Sequence, residues 1–84
     1  MTSLEREWVH NVKLGPCSCC DEEGVCDAHE IEQGAYFTSV ALCRECHTGS
    51  IGWHGTKAIF KIKKLDELSC LNKTVEQTFK RINK

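Results

Sequence analysis

Two pairs of cysteines carry the strongest chemical signal in this chain, Cys17-x-x-Cys20 and Cys43-x-x-Cys46. A C-x-x-C turn lets two thiolates reach one ion at about 2.3 Å while nearby amides hydrogen-bond the sulfurs, and two such turns complete a tetrahedral structural zinc site. The 22 residues between the pairs run slightly past the usual spacing of about 15–20 and fit a hairpin that brings the turns together. Cys19 or Cys26 can replace one of the N-terminal ligands, and Cys70 reads as core. The competing readings are reduced, unligated thiols and redox chemistry, although no thioredoxin-like pattern surrounds either pair.

The histidines form the second signal. His10 stands alone and reads as a surface residue. His29 precedes the break at Gln33-Gly34, His47 follows the second cysteine pair directly, and His54 lies in a glycine-rich loop. An ion at the four cysteines pins the hairpin against the segment after Cys46 and brings His29 near His47. A histidine-rich site with open coordination positions suits a catalytic divalent ion rather than a closed structural one. The alternative makes His47 itself the fourth ligand of the zinc, with one cysteine spare.

Composition says why such staples are needed. The chain has 84 residues, 40% of them hydrophobic, and seven are cysteines. That is one domain near the size where a hydrophobic core alone stops sufficing. No apolar run approaches the roughly 18 residues of a membrane span. The first ten residues read as polar and helical rather than as an export leader, so the expected compartment is a reducing cytoplasm, with no membrane partner. There, clustered cysteines bind metal more often than they form disulfides. The net charge of −1 conceals an asymmetry: residues 1–42 carry two basic and eight acidic side chains, residues 43–84 nine basic and four acidic. Lys57, Lys61, Lys63 and Lys64 open a basic C-terminal third able to hold a phosphate backbone; the plainer reading is a solvated helix face.

The elements that position these residues follow from pattern. Leu4, Trp8 and Val12 at four-residue spacing predict an N-terminal helix or arm over residues 1–15, stopped by Gly15-Pro16. Residues 25–32 and 35–42 predict the two strands of the hairpin. Residues 56–65 predict a helix with Ala58, Ile59, Ile62 and Leu65 inside. Thr74-Val75-Glu76-Gln77 fits a capping box, predicting a last helix that begins there with Val75, Phe79 and Ile82 inside. The expected architecture is small α+β, a zinc-stabilised hairpin plus helices, with residues 16–84 forming the metal-binding unit and its basic C-terminal helices.

Read in order, the stretches C-x-x-C, Cys26-Asp27-Ala28-His29-Glu30-Ile31, Leu42-Cys43-Arg44-Glu45-Cys46-His47 and Gly49-Ser50-Ile51-Gly52-Trp53-His54-Gly55 resemble the HNH (ββα-metal, or His-Me finger) nucleases. The likeness is strongest to small phage and prophage members related to the RecA-dependent recombination-enhancement nuclease, and it covers about residues 16–80. It implies a β-hairpin plus a helix around one catalytic metal, stapled by a structural zinc, and cleavage of DNA phosphodiesters. His29 falls on the family's first metal position, His47 on the metal histidine after the second knuckle, and His54 on the extra histidine of the G-x-H-G loop, a third metal or phosphate contact. Glu30 falls where the family has its base histidine, and no asparagine corresponds to the one that orients that base; Thr38 or Ser39 lies in its region. The resemblance thus implies Mg²⁺, Mn²⁺ or Zn²⁺ at the catalytic site, and the cytoplasm of a bacterial host cell as the compartment. It leaves two readings open. In one, Glu30 acts as base or extra ligand in an altered nuclease; in the other, the fold has lost cleavage and binds DNA or a recombination or phage protein, as monomer or homodimer.

Overall fold

The computed structural model describes residues 1–83. Its elements are α1 (Ser3–Lys13), β1 (Asp27–Glu30), a 3-10 turn (Tyr36–Thr38), β2 (Ser39–Leu42), the single-turn α2 (Arg44–His47), α3 (Ala58–Lys63) and α4 (Glu67–Ile82). The strands form an antiparallel hairpin with Asp27 opposite Leu42, Ala28 opposite Ala41, His29 opposite Val40 and Glu30 opposite Ser39. The architecture is a small single-domain α+β fold.

α1 begins at a reciprocal capping box: the Thr2 hydroxyl accepts from the Glu5 amide and the Glu5 carboxylate accepts from the Thr2 amide. Such a box satisfies donors that the first turn otherwise leaves open. The helix is no free arm, because Val12 is fully buried and α1 packs on the hairpin and on α4. The second strand is shorter than its pattern suggests. Residues 36–38 turn instead, with the Thr38 amide and hydroxyl both donating to the Ala35 carbonyl at 2.9 and 2.7 Å. This sends the Phe37 ring against Trp8, 6.0 Å between centroids. All four residues of β2 are buried.

The two C-terminal helices correct the periodicity reading. α3 spans only Ala58–Lys63, bounded by left-handed Lys57 (φ 61°) and Lys64 (φ 56°), and its buried residue is Phe60, whereas Ile62 is 77% exposed. Phe60 packs edge-on against Trp53, 5.0 Å between centroids. α4 starts at Glu67, capped by Asp66 with Ser69, rather than at Thr74. It buries Cys70, Thr74 and Thr78, while Val75, Phe79 and Ile82 face outward. The reason is a hydrogen bond: the Thr74 hydroxyl accepts from the Ala41 amide of β2 at 3.1 Å. A threonine that reads as a helix cap is thus the partner of a strand amide that lacks one in a two-stranded sheet. Replacing Thr74 by the isosteric valine is expected to cost about 1–3 kcal/mol, the penalty of a buried amide left unpaired. The check is a urea midpoint that falls while its slope stays constant.

Candidate metal centre and histidine cleft

The first cysteine turn docks on the hairpin through its own backbone. The Ser18 amide and hydroxyl both donate to the Ala41 carbonyl, each at 2.8 Å. Inside the turn the Asp21 amide donates to the Cys17 carbonyl, and the Cys17 amide to the Glu22 carbonyl; Asp21 takes the left-handed conformation, φ 63°. The second pair sits at the exit of β2, with Cys43 capping α2 and Cys46 within it. The Sγ atoms of Cys17, Cys20, Cys43 and Cys46 consequently lie within 4.8 Å of one another. Cys20 and Cys43 Sγ are 3.7 Å apart. A tetrahedron with metal–sulfur bonds of about 2.3 Å has edges of about 3.8 Å, so the spacing suits a zinc-like ion.

The electrostatics point the same way. Burial pushes the Cys20 thiol up to about 11, and burial with the neighbouring Cys43 thiol raises Cys46 as well. Cys17 differs. Burial raises it, but the amides of Cys20, Cys43 and Cys19 outweigh that and hold it below the usual thiol range. Amides gathered on one sulfur favour its anion, and adjoining thiols can join it in ionising only if a cation neutralises the charge. The other cysteines lie outside the group of four. Cys19 is raised by burial, and Cys26, which donates to the Gly15 carbonyl, is pushed up by burial to about 12. Cys70 is core, as its pattern indicates, at 1% exposure.

Beside this cluster the three histidines converge. His29, His47 and His54 have ring centroids 4.9 to 5.2 Å apart, and one ring nitrogen from each lies within 4.8 Å of the others, close enough to hold a metal ion. Three elements deliver them. His29 points inward from β1 and is 7% exposed. His47 ends the turn of α2 that holds Cys46. His54 is returned to His47 by backbone pairing, with the Trp53 amide donating to the Cys46 carbonyl at 2.8 Å and the His54 amide to the His47 carbonyl at 2.9 Å. That return needs glycine: a Cβ on Gly52 would lie 2.5 Å from the Glu45 carbonyl oxygen. The rings border an open cleft of about 350 Å³, lined also by Ala28, Glu30 and Gln33.

Two carboxylates at the rings are absent from the motif reading. Asp27 accepts from His47 Nδ1 at 3.1 Å and also faces Arg44 Nε at 3.4 Å. The His47 hydrogen bond, and then the Arg44 guanidinium, hold Asp27 below the ordinary carboxylate range. Glu67 accepts from His29 Nε2 at 2.6 Å. Asp27 was within reach of sequence reasoning, since it stands two residues before His29 and a strand puts alternate residues on one face. Glu67 lies 38 positions away, and no local signal announces it.

The remaining candidates separate. Glu30 borders the cleft, yet it alternates with His29 along β1 and its Oε1 accepts from the Gly34 amide at 2.8 Å, closing the hairpin loop. Ser39 and Thr38 bond local carbonyls, Tyr36 and Ala35. Lys57 places its ammonium 4.4 Å from the Trp53 ring centroid. Lys63 donates to the Cys19 carbonyl at 3.0 Å, so it ties α3 to the first cysteine turn. Lys61 and Lys64 are exposed, without a side-chain partner among the described residues. Among the described residues, no helix is long and apolar enough to cross a membrane. No protein-family model matches the chain, and no match is found among the curated proteins or the solved structures.

Proposed function

We propose that this chain is a metal-dependent endonuclease of the HNH, or ββα-metal, type acting on DNA phosphodiesters, with zinc as the ion of the four-thiolate site. The observation that carries the reading is the meeting of His29, His47 and His54 in one open cleft beside a closed cysteine cluster. The hairpin supplies His29, the short helix after it supplies His47, and the loop beyond returns His54; the resemblance implies a hairpin plus a helix at such a site. His29 and His47 hold a divalent ion, Mg²⁺, Mn²⁺ or Zn²⁺, with His54 as a third ligand or phosphate contact. Such an ion stabilises the charge developing on the phosphoryl and leaving oxygens. Asp27 and Glu67 orient the ligand rings, as carboxylates behind metal-bound histidines commonly do. Glu30 stands at the base position of the resemblance, with one carboxylate oxygen occupied by the Gly34 amide.

Lys57, Lys61 and Lys64 hold the nucleic-acid backbone, and Lys63 acts through the fold. Binding is then salt-sensitive and weakly sequence-specific. The double substitution Lys61→Glu/Lys64→Glu is expected to weaken DNA binding and to flatten the dependence of log K on log salt by about 2, near 0.9 for each phosphate no longer neutralised. Fluorescence anisotropy over a salt series reads both.

The test of the activity is plasmid nicking by protein that keeps its tightly held ion but has been stripped at the cleft. Added Mg²⁺ or Mn²⁺ restores nicking if the reading is right. No nicking with any divalent ion, together with retained DNA binding, sinks it. That result would favour the second reading, a non-catalytic DNA- or protein-binding module, which the engagement of Glu30 with the hairpin loop supports.

A further inference from the structure

We propose that the cleft presents two different imidazole nitrogens to its ion, Nδ1 of His29 and Nε2 of His47, and that Glu67 on α4 is the positioning residue that sets the first. The inference rests on the reading of the cleft as a metal site.

A neutral imidazole has one N–H and one lone pair, and an ionised carboxylate only accepts hydrogen bonds. The nitrogen facing a carboxylate therefore carries the proton, and the opposite nitrogen keeps the lone pair that a metal needs. Glu67 Oε2 lies 2.6 Å from Nε2 of His29, whereas Asp27 Oδ2 lies 3.1 Å from Nδ1 of His47. The two rings are thus fixed as opposite tautomers. Both carboxylates stand outside the three-histidine group and act through the rings, not on the ion.

Burial makes the selection firm at His29. The ring is nearly closed to solvent and the Glu67 side chain is 28% exposed, so little water competes for Nε2. Glu67 is the first residue of α4, and its backbone is fixed by the Asp66–Ser69 capping box. Further along α4 the Lys73 ammonium lies 2.5 Å from Asp21 in the first cysteine turn. Glu67 thereby makes α4 part of the cleft, although α4 contributes nothing to its lining.

The tautomers can be read directly on the ¹⁵N-labelled full chain with its four-thiolate ion in place. Long-range ¹H–¹⁵N spectra are recorded before and after Zn²⁺ is added, with the rings assigned through histidine substitutions. Before addition, His29 is expected as the Nε2–H form and His47 as the Nδ1–H form. Zn²⁺ then shifts Nδ1 of His29 and Nε2 of His47. The same ligating nitrogen in both rings, or a proton on Nδ1 of His29, overturns the proposal. Failure of the cleft to take up Zn²⁺ while both tautomers are as stated refutes the metal reading itself, and with it the assignment of ligand atoms.

Substitution gives a second arm. Glu67→Ala is expected to weaken Zn²⁺ at the cleft by about 10–100-fold and to remove the tautomer preference of His29, while one tightly held ion per chain remains. Glu67→Asp recovers part of both. A folded Glu67→Ala protein with unchanged cleft affinity and an unchanged His29 tautomer counts against the role given to Glu67.

Discussion

Cys46→Ser is expected to leave the chain without a cooperative thermal transition, unfolded at room temperature. Among the described residues only ten apolar side chains are buried, and two of them, Cys17 and Cys46, belong to the four-thiolate group, so the core is small and partly built from the proposed metal site. An ion held by the four thiolates, as proposed, would join the first cysteine turn to the end of β2 and to α2. Structural zinc contributes about 10–16 kcal/mol at neutral pH, as much as or more than the roughly 5–15 kcal/mol of a whole domain. Far-UV circular dichroism and metal content of the purified variant are the measurements. A cooperative transition within a few degrees of the wild type would refute the argument.

A four-thiolate ion, as proposed, would also make stability acid-sensitive. Without it, the Cys20 thiol is pushed up to about 11 and Cys46 is raised too, so loading the site expels protons. The metal-bound state is favoured as pH rises, and protons displace the ion as pH falls. Chelator-induced unfolding should need less chelator at pH 6 than at pH 8; the opposite order would contradict the thiolate site.

If the chain is the proposed nuclease, His47→Ala is expected to have the largest effect on activity, lowering plasmid nicking by more than about 100-fold. Losing an orienting neighbour already costs about 10–100-fold, and this change removes a proposed ligand. His47 is the junction of the cleft: its ring touches Asp27, and its carbonyl receives the His54 amide. The variant keeps that carbonyl, so the loop stays docked and the loss is attributable to the imidazole. One tightly held ion per chain should survive. If that ion disappears instead, His47 belongs to the structural site and one of the four cysteines does not.

The cysteine site was legible because C-x-x-C geometry is local and survives whatever the rest of the chain does. The histidine cluster was legible one step further on, since the hairpin and the cysteines fix where His29 and His47 stand. Apolar periodicity turns α4 inside out. Its apolar residues Val75, Phe79 and Ile82 share a face, but the core side is chosen by Cys70, Thr74 and Thr78, small enough to approach β2 and, at Thr74, able to satisfy the Ala41 amide. Apolar periodicity weighs hydrophobicity and overlooks an unpaired strand amide. The hydrogen bond between His29 and Glu67 was invisible for another reason: only tertiary packing brings β1 to the start of α4.

Cys46 and His47 are neighbours in the chain, and each serves a different cluster. Their Cα atoms are separated by one trans peptide, about 3.8 Å, so the two sites cannot drift apart. A paramagnetic ion such as Co²⁺ placed among the thiolates would broaden and shift the ring protons of His47 over that short span. The structural centre could then serve as a built-in ruler, reporting each change in the position of the His47 ring as the cleft fills and empties.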